Sequence, residues 1–140
     1  MCGYVVALNN KNKKLNLQDL YKRGPDETNS FYDGDIFFHH SRLNLVGSSE
    51  GRQPYKIEND LGTLVYNGEI FNFKDLNYKY NLVSNESDTK SLANAFVSLS
   101  KTNFLNYLKD IDGMFSFVFY SKAEGKIYFC RDQFGQKPLY

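Results

Sequence analysis

Cys2 stands directly behind Met1 and ahead of Gly3, so removal of the initiator would place a thiol and a free α-amine on one residue. A cysteine thiolate is a strong nucleophile near neutral pH. An exposed α-amine titrates at about 7.7–8.0, which suits it to take the thiol proton directly or through one water. Nucleophile and base would then share a residue. The other reading open here is that Cys2 is an ordinary early residue of an N-terminal strand. Cys130 is the only other cysteine, and the only histidines, His39 and His40, are adjacent. Two cysteines make no disulfide framework, and no metal-ligand spacing is present. On a strand the two histidines point to opposite faces and do not share a metal. Cys130, inside an apolar run, reads as a small buried hydrophobe.

The elements that must position such chemistry follow from size and pattern. The 140 residues carry a formal net charge of +1 and fit one domain with one core. Beyond the short Lys11 to Lys14 cluster there is no basic block, so neither nucleic acid nor an anionic membrane is expected as a partner. No apolar run spans a bilayer and the N-terminus has no secretory pattern, which predicts a cytoplasmic protein. The 11 tyrosines and 12 phenylalanines fall mostly in apolar runs, where core packing accounts for them.

The pattern predicts a strand over Gly3 to Leu8, a short helix over Leu17 to Lys22, an irregular Arg23-Gly24-Pro25-Asp26, and an extended segment from Asp35 to Val46. A loop from Gly47 to Gln53 precedes Pro54, and Leu61 to Tyr66 reads as a strand. Asn67-Gly68 directly after it is a strong hairpin signal. The period then becomes helical. Asn72 can cap a short helix with Asp75 at its third position, Thr89 to Ser100 puts Leu92, Phe96 and Leu99 on one face with Ser87 or Asp88 as cap, and Phe104 to Leu108 adds a turn or two. Met114 to Tyr120 and Lys126 to Arg131 are strand runs joined through Lys122 to Gly125. Helices flanked by strands on both sides predict an α+β fold, with two sheets or one mixed sheet.

The polar motifs are ambiguous singly and informative in order. Cys2-Gly3, Arg23-Gly24-Pro25-Asp26, His40-Ser41-Arg42-Leu43, Gly51-Arg52-Gln53-Pro54, Asn67-Gly68-Glu69-Ile70-Phe71-Asn72, Ser87-Asp88-Thr89, Asp112-Gly113-Met114-Phe115, and Arg131-Asp132 with Phe134-Gly135-Gln136-Lys137-Pro138-Leu139-Tyr140 occur in succession. This chain resembles the glutaminase domain of glutamine-hydrolysing asparagine synthetase, a class II glutamine amidotransferase of the N-terminal nucleophile hydrolase type. The resemblance covers essentially the whole chain. It implies a four-layer αββα sandwich of two antiparallel sheets.

The resemblance also implies roles. Cys2 attacks the side-chain amide of L-glutamine, releasing ammonia and leaving a glutamyl thioester that water hydrolyses. Asn67, through its side-chain amide, and Gly68, through its N–H, hold the oxyanion. Arg42 takes the substrate α-carboxylate in a two-pronged contact, Asp88 takes the α-ammonium, and Glu69 helps at the amino end. Leu45 and Val46 line the pocket with backbone groups. Met alone, each has a plainer reading: Asp88 as a helix cap, Arg42 as a strand-pair charge, Glu69 as a solvated carboxylate. Gly24, Pro25 and Gly135 set loop geometry, and Gln53-Pro54 begins a loop that closes over substrate.

Three positions depart from the family pattern: Lys22 where His is common, Gly47 where Asp is frequent, and Lys90 where an acid is usual. In the family the domain continues past Lys-Pro-Leu-Tyr and is followed by a synthetase domain that uses ATP and Mg. Residues 1–140 are therefore expected to be a glutaminase domain cut short at its C-terminal end, with no cofactor or metal of its own and a synthetase domain or subunit as partner. Two alternatives stay open: ammonia donation to a different acceptor such as a surface-sugar precursor, and a non-catalytic glutamine-binding remnant.

Overall fold

The computed structural model describes residues 2–9, 15–44, 51–83 and 86–140. Strand β1 (Gly3–Leu8), β2 (Glu27–Asp33) and β3 (Ile36–Arg42) make an antiparallel sheet in the order β1-β3-β2. A second antiparallel sheet has the order β4-β5-β6-β7, from β4 (Tyr55–Lys56), β5 (Gly62–Ile70), β6 (Gly113–Ser121) and β7 (Lys126–Arg131). The helices are α1 (Gln18–Arg23), α2 (Phe73–Lys79), α3 (Asp88–Ser98) and α4 (Lys101–Asp110).

Period-two alternation along β5 and β6 places these elements in layers. Leu64 and Tyr66 of β5 and Phe115, Phe117 and Phe119 of β6 join Leu76, Leu92, Ala95 and Tyr107 in a core beneath α2, α3 and α4. The intervening Val65 and Val118 face the other way, meeting Ile36 and Phe38 of β3 in a smaller core between the sheets. Helix α1 packs on the remaining face of the first sheet, against β1 and β3, with the Tyr21 ring edge-on to His39. The order is helix, sheet, sheet, helices, and the α+β sandwich expected from the resemblance is present.

Several local expectations need correction. Glu27–Asp33 is a strand that the pattern did not predict, joined to β3 by Gly34 and Asp35 in a two-residue turn. Gly34, at φ 61°, occupies the first central position, where such hairpin turns require a left-handed backbone. The extended segment expected from Asp35 to Val46 begins one residue later and stops being a strand after Arg42. Asn67-Gly68 is no hairpin: β5 runs straight through it to Ile70, pairing Asn67 with Ser116 and Gly68 with Phe115. Asn72 precedes α2 but makes no capping bond. Its amide instead donates to Asp110 O at 2.9 Å and accepts from Asp112 N at 3.0 Å, stitching the start of α2 to the α4–β6 junction. Of the two candidate caps of α3, Ser87 does the capping, accepting from Lys90 N at 3.4 Å.

Two glycines are set by close approach. A Cβ on Gly24 would lie 2.2 Å from the Ser41 carbonyl, so the Arg-Gly-Pro-Asp segment crosses β3 only without a side chain there. A Cβ on Gly68 would lie 2.2 Å from Met114 O and 2.7 Å from Phe115 Cα, backbone atoms that cannot rotate away.

Candidate active site

β4 is two residues long, and it pairs only with Thr63 and Leu64 of β5. Beyond Leu64, no strand among the described residues pairs with this edge of β5. Phe115 turns its backbone toward the β7 side, where its carbonyl accepts from Asp132 N at 2.8 Å and its N–H donates to Asp132 Oδ2 at 3.1 Å. Met114 and Ser116, alternating with it, therefore bond toward β5, engaging Glu69 and Asn67. By the same alternation Tyr66, Gly68 and Ile70 direct their backbone groups to the open edge.

That edge is satisfied by side chains. Gln53 Oε1 accepts from Tyr66 N at 2.6 Å, His40 Nε2 meets Tyr66 O at 3.2 Å, and Asp88 Oδ2 accepts from Ile70 N at 3.1 Å. Between the last two sits the Gly68 N–H, at the wall of a cavity of roughly 370 Å³. The side chain of Asn67 shares its face of β5 with Val65, toward the first sheet. Cys2, at the entry to β1 in that sheet, lines the same cavity as the Asn67-Gly68 pair.

Cys2, Arg42, Asn67, Gly68, Glu69 and Asp88 all line this one cavity. Leu45 and Val46 lie outside the described residues. Cys2 is half-buried, its Sγ 3.8 Å from Leu43 O, and its own carbonyl accepts from Arg23 Nε at 3.3 Å. Arg42 combines two of its readings. It lines the cavity, and it pairs across β2–β3 with Glu27, Nη1 to Oε2 at 3.4 Å, its side chain 12% exposed. Arg52 holds the other Glu27 oxygen at 3.2 Å. Asp88 Oδ2 also accepts from the Tyr66 hydroxyl at 2.7 Å, and its Oδ1 from Thr89 N at 2.7 Å. A carboxylate offers about four acceptor positions, so these three donors leave room for a cation from the cavity. Glu69 is exposed at the cavity rim.

Burial, reinforced by the adjacent Asp88 charge and hydrogen bond, drives the Tyr66 phenol well above its ordinary value. It remains a donor to Asp88. Burial pushes the His40 imidazole down from 6.5 to about 4, with the Tyr66 carbonyl opposing the shift. Because the folded value is depressed, the unfolded chain binds the extra proton first. Stability from the neutral ring is complete above about pH 6.5 and is lost as pH falls toward 4, by about 3 kcal/mol. Urea unfolding should show this loss between pH 7 and pH 4, and His40→Gln, which has no titrating ring, should lack that share. Identical pH dependence in the two proteins would contradict it.

Three cavity residues were not picked out as site residues by sequence reasoning. Gln53 is buried at the cavity wall, and Tyr66 spans from the β5 edge to Asp88. Lys137 is buried at the cavity, carried by a loop wound round Asp132. Burial raises the Asp132 carboxyl, but the N–H donors of Gln136, Lys137, Phe115 and Phe134 outweigh it and hold the group below the usual range. Those donors close at 3.0–3.2 Å. The signal was available in Arg-Asp followed by Phe-Gly-Gln-Lys, an acid before a turn, but its acceptor role depends on the neighbouring strand. Cys130 is half-buried beside the helix-side core, where burial raises its thiol. His39 faces α1 and bonds Ser30 and Ser41, while His40 faces the second sheet, so the two histidines do point apart.

Chemically, the cavity presents a thiol, an amide donor beside a backbone N–H, a guanidinium, the Lys137 ammonium and three carboxylates, Glu69, Glu86 and Asp88. That set suits covalent acyl transfer on a ligand carrying both a carboxylate and an ammonium. Among the described residues no three His, Cys, Asp or Glu side chains stand together to hold a metal, and no helix is long and apolar enough to cross a membrane.

Comparison with known proteins agrees in kind. The glutamine amidotransferase domain family matches residues 1–140. The chain is 34% identical over 118 residues to asparagine synthetase (glutamine-hydrolysing) 2 of Bacillus subtilis (strain 168), covering 84% of this chain and 16% of that protein. It is 30% identical over 155 residues to asparagine synthetase (glutamine-hydrolysing) 1 of the same organism, covering 100% of this chain and 24% of that one. With asparagine synthetase (glutamine-hydrolysing) of Triphysaria versicolor it is 30% identical over 148 residues, 100% of this chain and 25% of the other. The chain thus spans about a quarter or less of the length of these relatives.

Proposed function

Since this chain belongs to the glutamine amidotransferase domain family, the kind represented in the glutamine-hydrolysing asparagine synthetases, we propose that it releases ammonia from L-glutamine through a thioester on Cys2. With Met1 removed, the Cys2 α-amine takes the thiol proton and the thiolate attacks the side-chain amide carbon. The oxygen of the tetrahedral intermediate receives hydrogen bonds from the Asn67 amide and the Gly68 N–H. Collapse breaks the C–N bond, and the α-ammonium returns its proton to the departing ammonia. Water then adds to the glutamyl thioester, giving a proton to the α-amine, and the C–S bond breaks to release glutamate and restore the thiol.

The observation that carries this reading is that Cys2, Asn67 and Gly68 share one cavity with Arg42 and Asp88, although they come from two sheets and a helix. Arg42 pairs the substrate α-carboxylate, its guanidinium fork oriented by Glu27. Asp88 and Glu69 receive the α-ammonium. The ammonia passes to a synthetase domain or subunit that activates an acceptor carboxylate with ATP and Mg. No step of the glutamine chemistry above draws on those groups, and residues 1–140 act as the glutaminase domain of that assembly.

A glutamine-like electrophile tests the assignment. It should alkylate Cys2 and not Cys130, as read by peptide mass, and saturating glutamine should slow the labelling. Arg42→Lys should blunt that protection by on the order of tenfold or more in the glutamine concentration required, because an ammonium cannot reproduce the two-pronged contact. Labelling at Cys130, or protection unchanged in Arg42→Lys, would sink the assignment.

A further inference from the structure

Tyr66 precedes the proposed oxyanion donors, and its backbone is held on the open edge of β5 by two side chains instead of a strand. Gln53 accepts from its N–H at 2.6 Å, and His40 lies 3.2 Å from its carbonyl. A ring nitrogen facing a carbonyl must carry the proton, so His40 is the Nε2–H tautomer and Nδ1 is left with a lone pair. Among the described residues that Nδ1 has no hydrogen-bond partner, and it is buried between the sheets on a residue 1% exposed. The Tyr4 hydroxyl, on the cross-strand neighbour of His40, and the Ser116 hydroxyl, on the neighbour of Asn67, are buried at the same seam and interact with each other.

An apolar ring of similar shape would fill this buried position without needing a partner for either nitrogen. What the imidazole supplies and an apolar ring cannot is the Nε2–H, which crosses from β3 in the Cys2 sheet to β5 in the Asn67 sheet. We propose that His40 is a positioning residue for the glutaminase reaction, its neutral ring and Gln53 together holding the Tyr66 peptide so that Asn67 and Gly68 are aimed at the carbon bonded to Cys2. His40 touches neither substrate nor Cys2. It acts through the Tyr66 peptide, one residue from the donors.

Two variants separate this role from simple packing. His40→Phe keeps the ring and removes the donor, whereas His40→Gln restores an N–H near the Nε2 position. The Phe variant should lose about tenfold or more in kcat for glutamate release with KM changed less than about twofold, because only an interaction made in the transition state is weakened. The Gln variant should recover most of it. Alkylation of Cys2 by iodoacetamide, a displacement that forms no oxyanion, should proceed at the wild-type rate in both.

The proposal rests on the glutaminase reading, and the two fail differently. A wild-type chain that releases no glutamate sinks the reading itself. In an active wild type, equal losses in the Phe and Gln variants, an unchanged kcat in Phe, or a parallel fall in alkylation overturns the role of His40 alone. The tautomer is checked without any variant, so a Phe protein that does not fold leaves the test standing. Imidazole nitrogen resonances of the wild type should show His40 neutral with the proton on Nε2 from pH 5.5 to 7.5, about 1.5 units and more above its folded value. An Nδ1–H ring would overturn the proposal.

Discussion

Cys2→Ala should lower glutamate release from glutamine by on the order of a thousandfold or more, since removing a covalent nucleophile eliminates the path and leaves only what binding and oxyanion donors can do for water. The loss should be catalytic and not structural. Cys2 is anchored through its carbonyl, which accepts from Arg23 Nε, and alanine keeps that carbonyl. The thiol itself has only a long 3.8 Å contact to Leu43 O. The thermal midpoint should therefore stay within a degree or two of wild type, roughly the shift expected for a change of a few tenths of a kcal/mol. The same experiment on protein that retains Met1, verified by intact mass, should show a comparable loss, because the α-amine is then an amide nitrogen and no longer a base. Glutamate release persisting in Cys2→Ala would remove the thioester mechanism, and activity with Met1 in place would remove the α-amine as base.

The second large effect falls at Asn67. Asn67→Ala should cost about a hundredfold or more in kcat, the usual consequence of losing one oxyanion donor, with a far smaller change in KM. Asn67→Asp, nearly the same shape, should cost at least as much, since it sets a carboxylate against the charge that develops on the substrate oxygen. The site tolerates these changes structurally because the side chain projects from β5 toward the cavity while its backbone stays paired with Ser116. Iodoacetamide labelling of Cys2 at the wild-type rate would show that the thiol is intact. A kcat within about threefold of wild type in Asn67→Ala would dismiss the donor role.

The parts of the fold that were legible are those governed by local period. The apolar runs Leu61 to Tyr66 and Met114 to Tyr120 are both strands, the first continuing four residues further to Ile70. Leu92 is buried on α3, with Phe96 and Leu99 packed beside it as its spacing predicted. β2 was missed because Glu27 to Ser30 is polar and lies at a sheet edge, where no burial imposes alternation; its residues are mostly exposed or half-buried. The Asp33-Gly34 turn signal was present and went unused. Asn67-Gly68 was misleading for the opposite reason. Its preference for a turn is weaker than nine residues of pairing with β6, and the glycine is needed to let Met114 and Phe115 pass.

By itself the sequence determined the residue types a glutamine-hydrolysing site demands, their order, and the strand and helix periods that make the fold α+β. Such information is local, carried by single side chains and by spacings of two or four residues. Only the tertiary structure decided that Cys2 and Asn67 line one cavity, because that depends on how two separately formed sheets stack. It also decided which backbone groups of β5 are left to side chains: β4 begins only at Tyr55, opposite Leu64, and beyond that point Gln53, His40 and Asp88 bond Tyr66 and Ile70. A backbone N–H becomes available to a ligand only where its own sheet stops using it, and that is settled by the partner strand rather than by the residue that bears it.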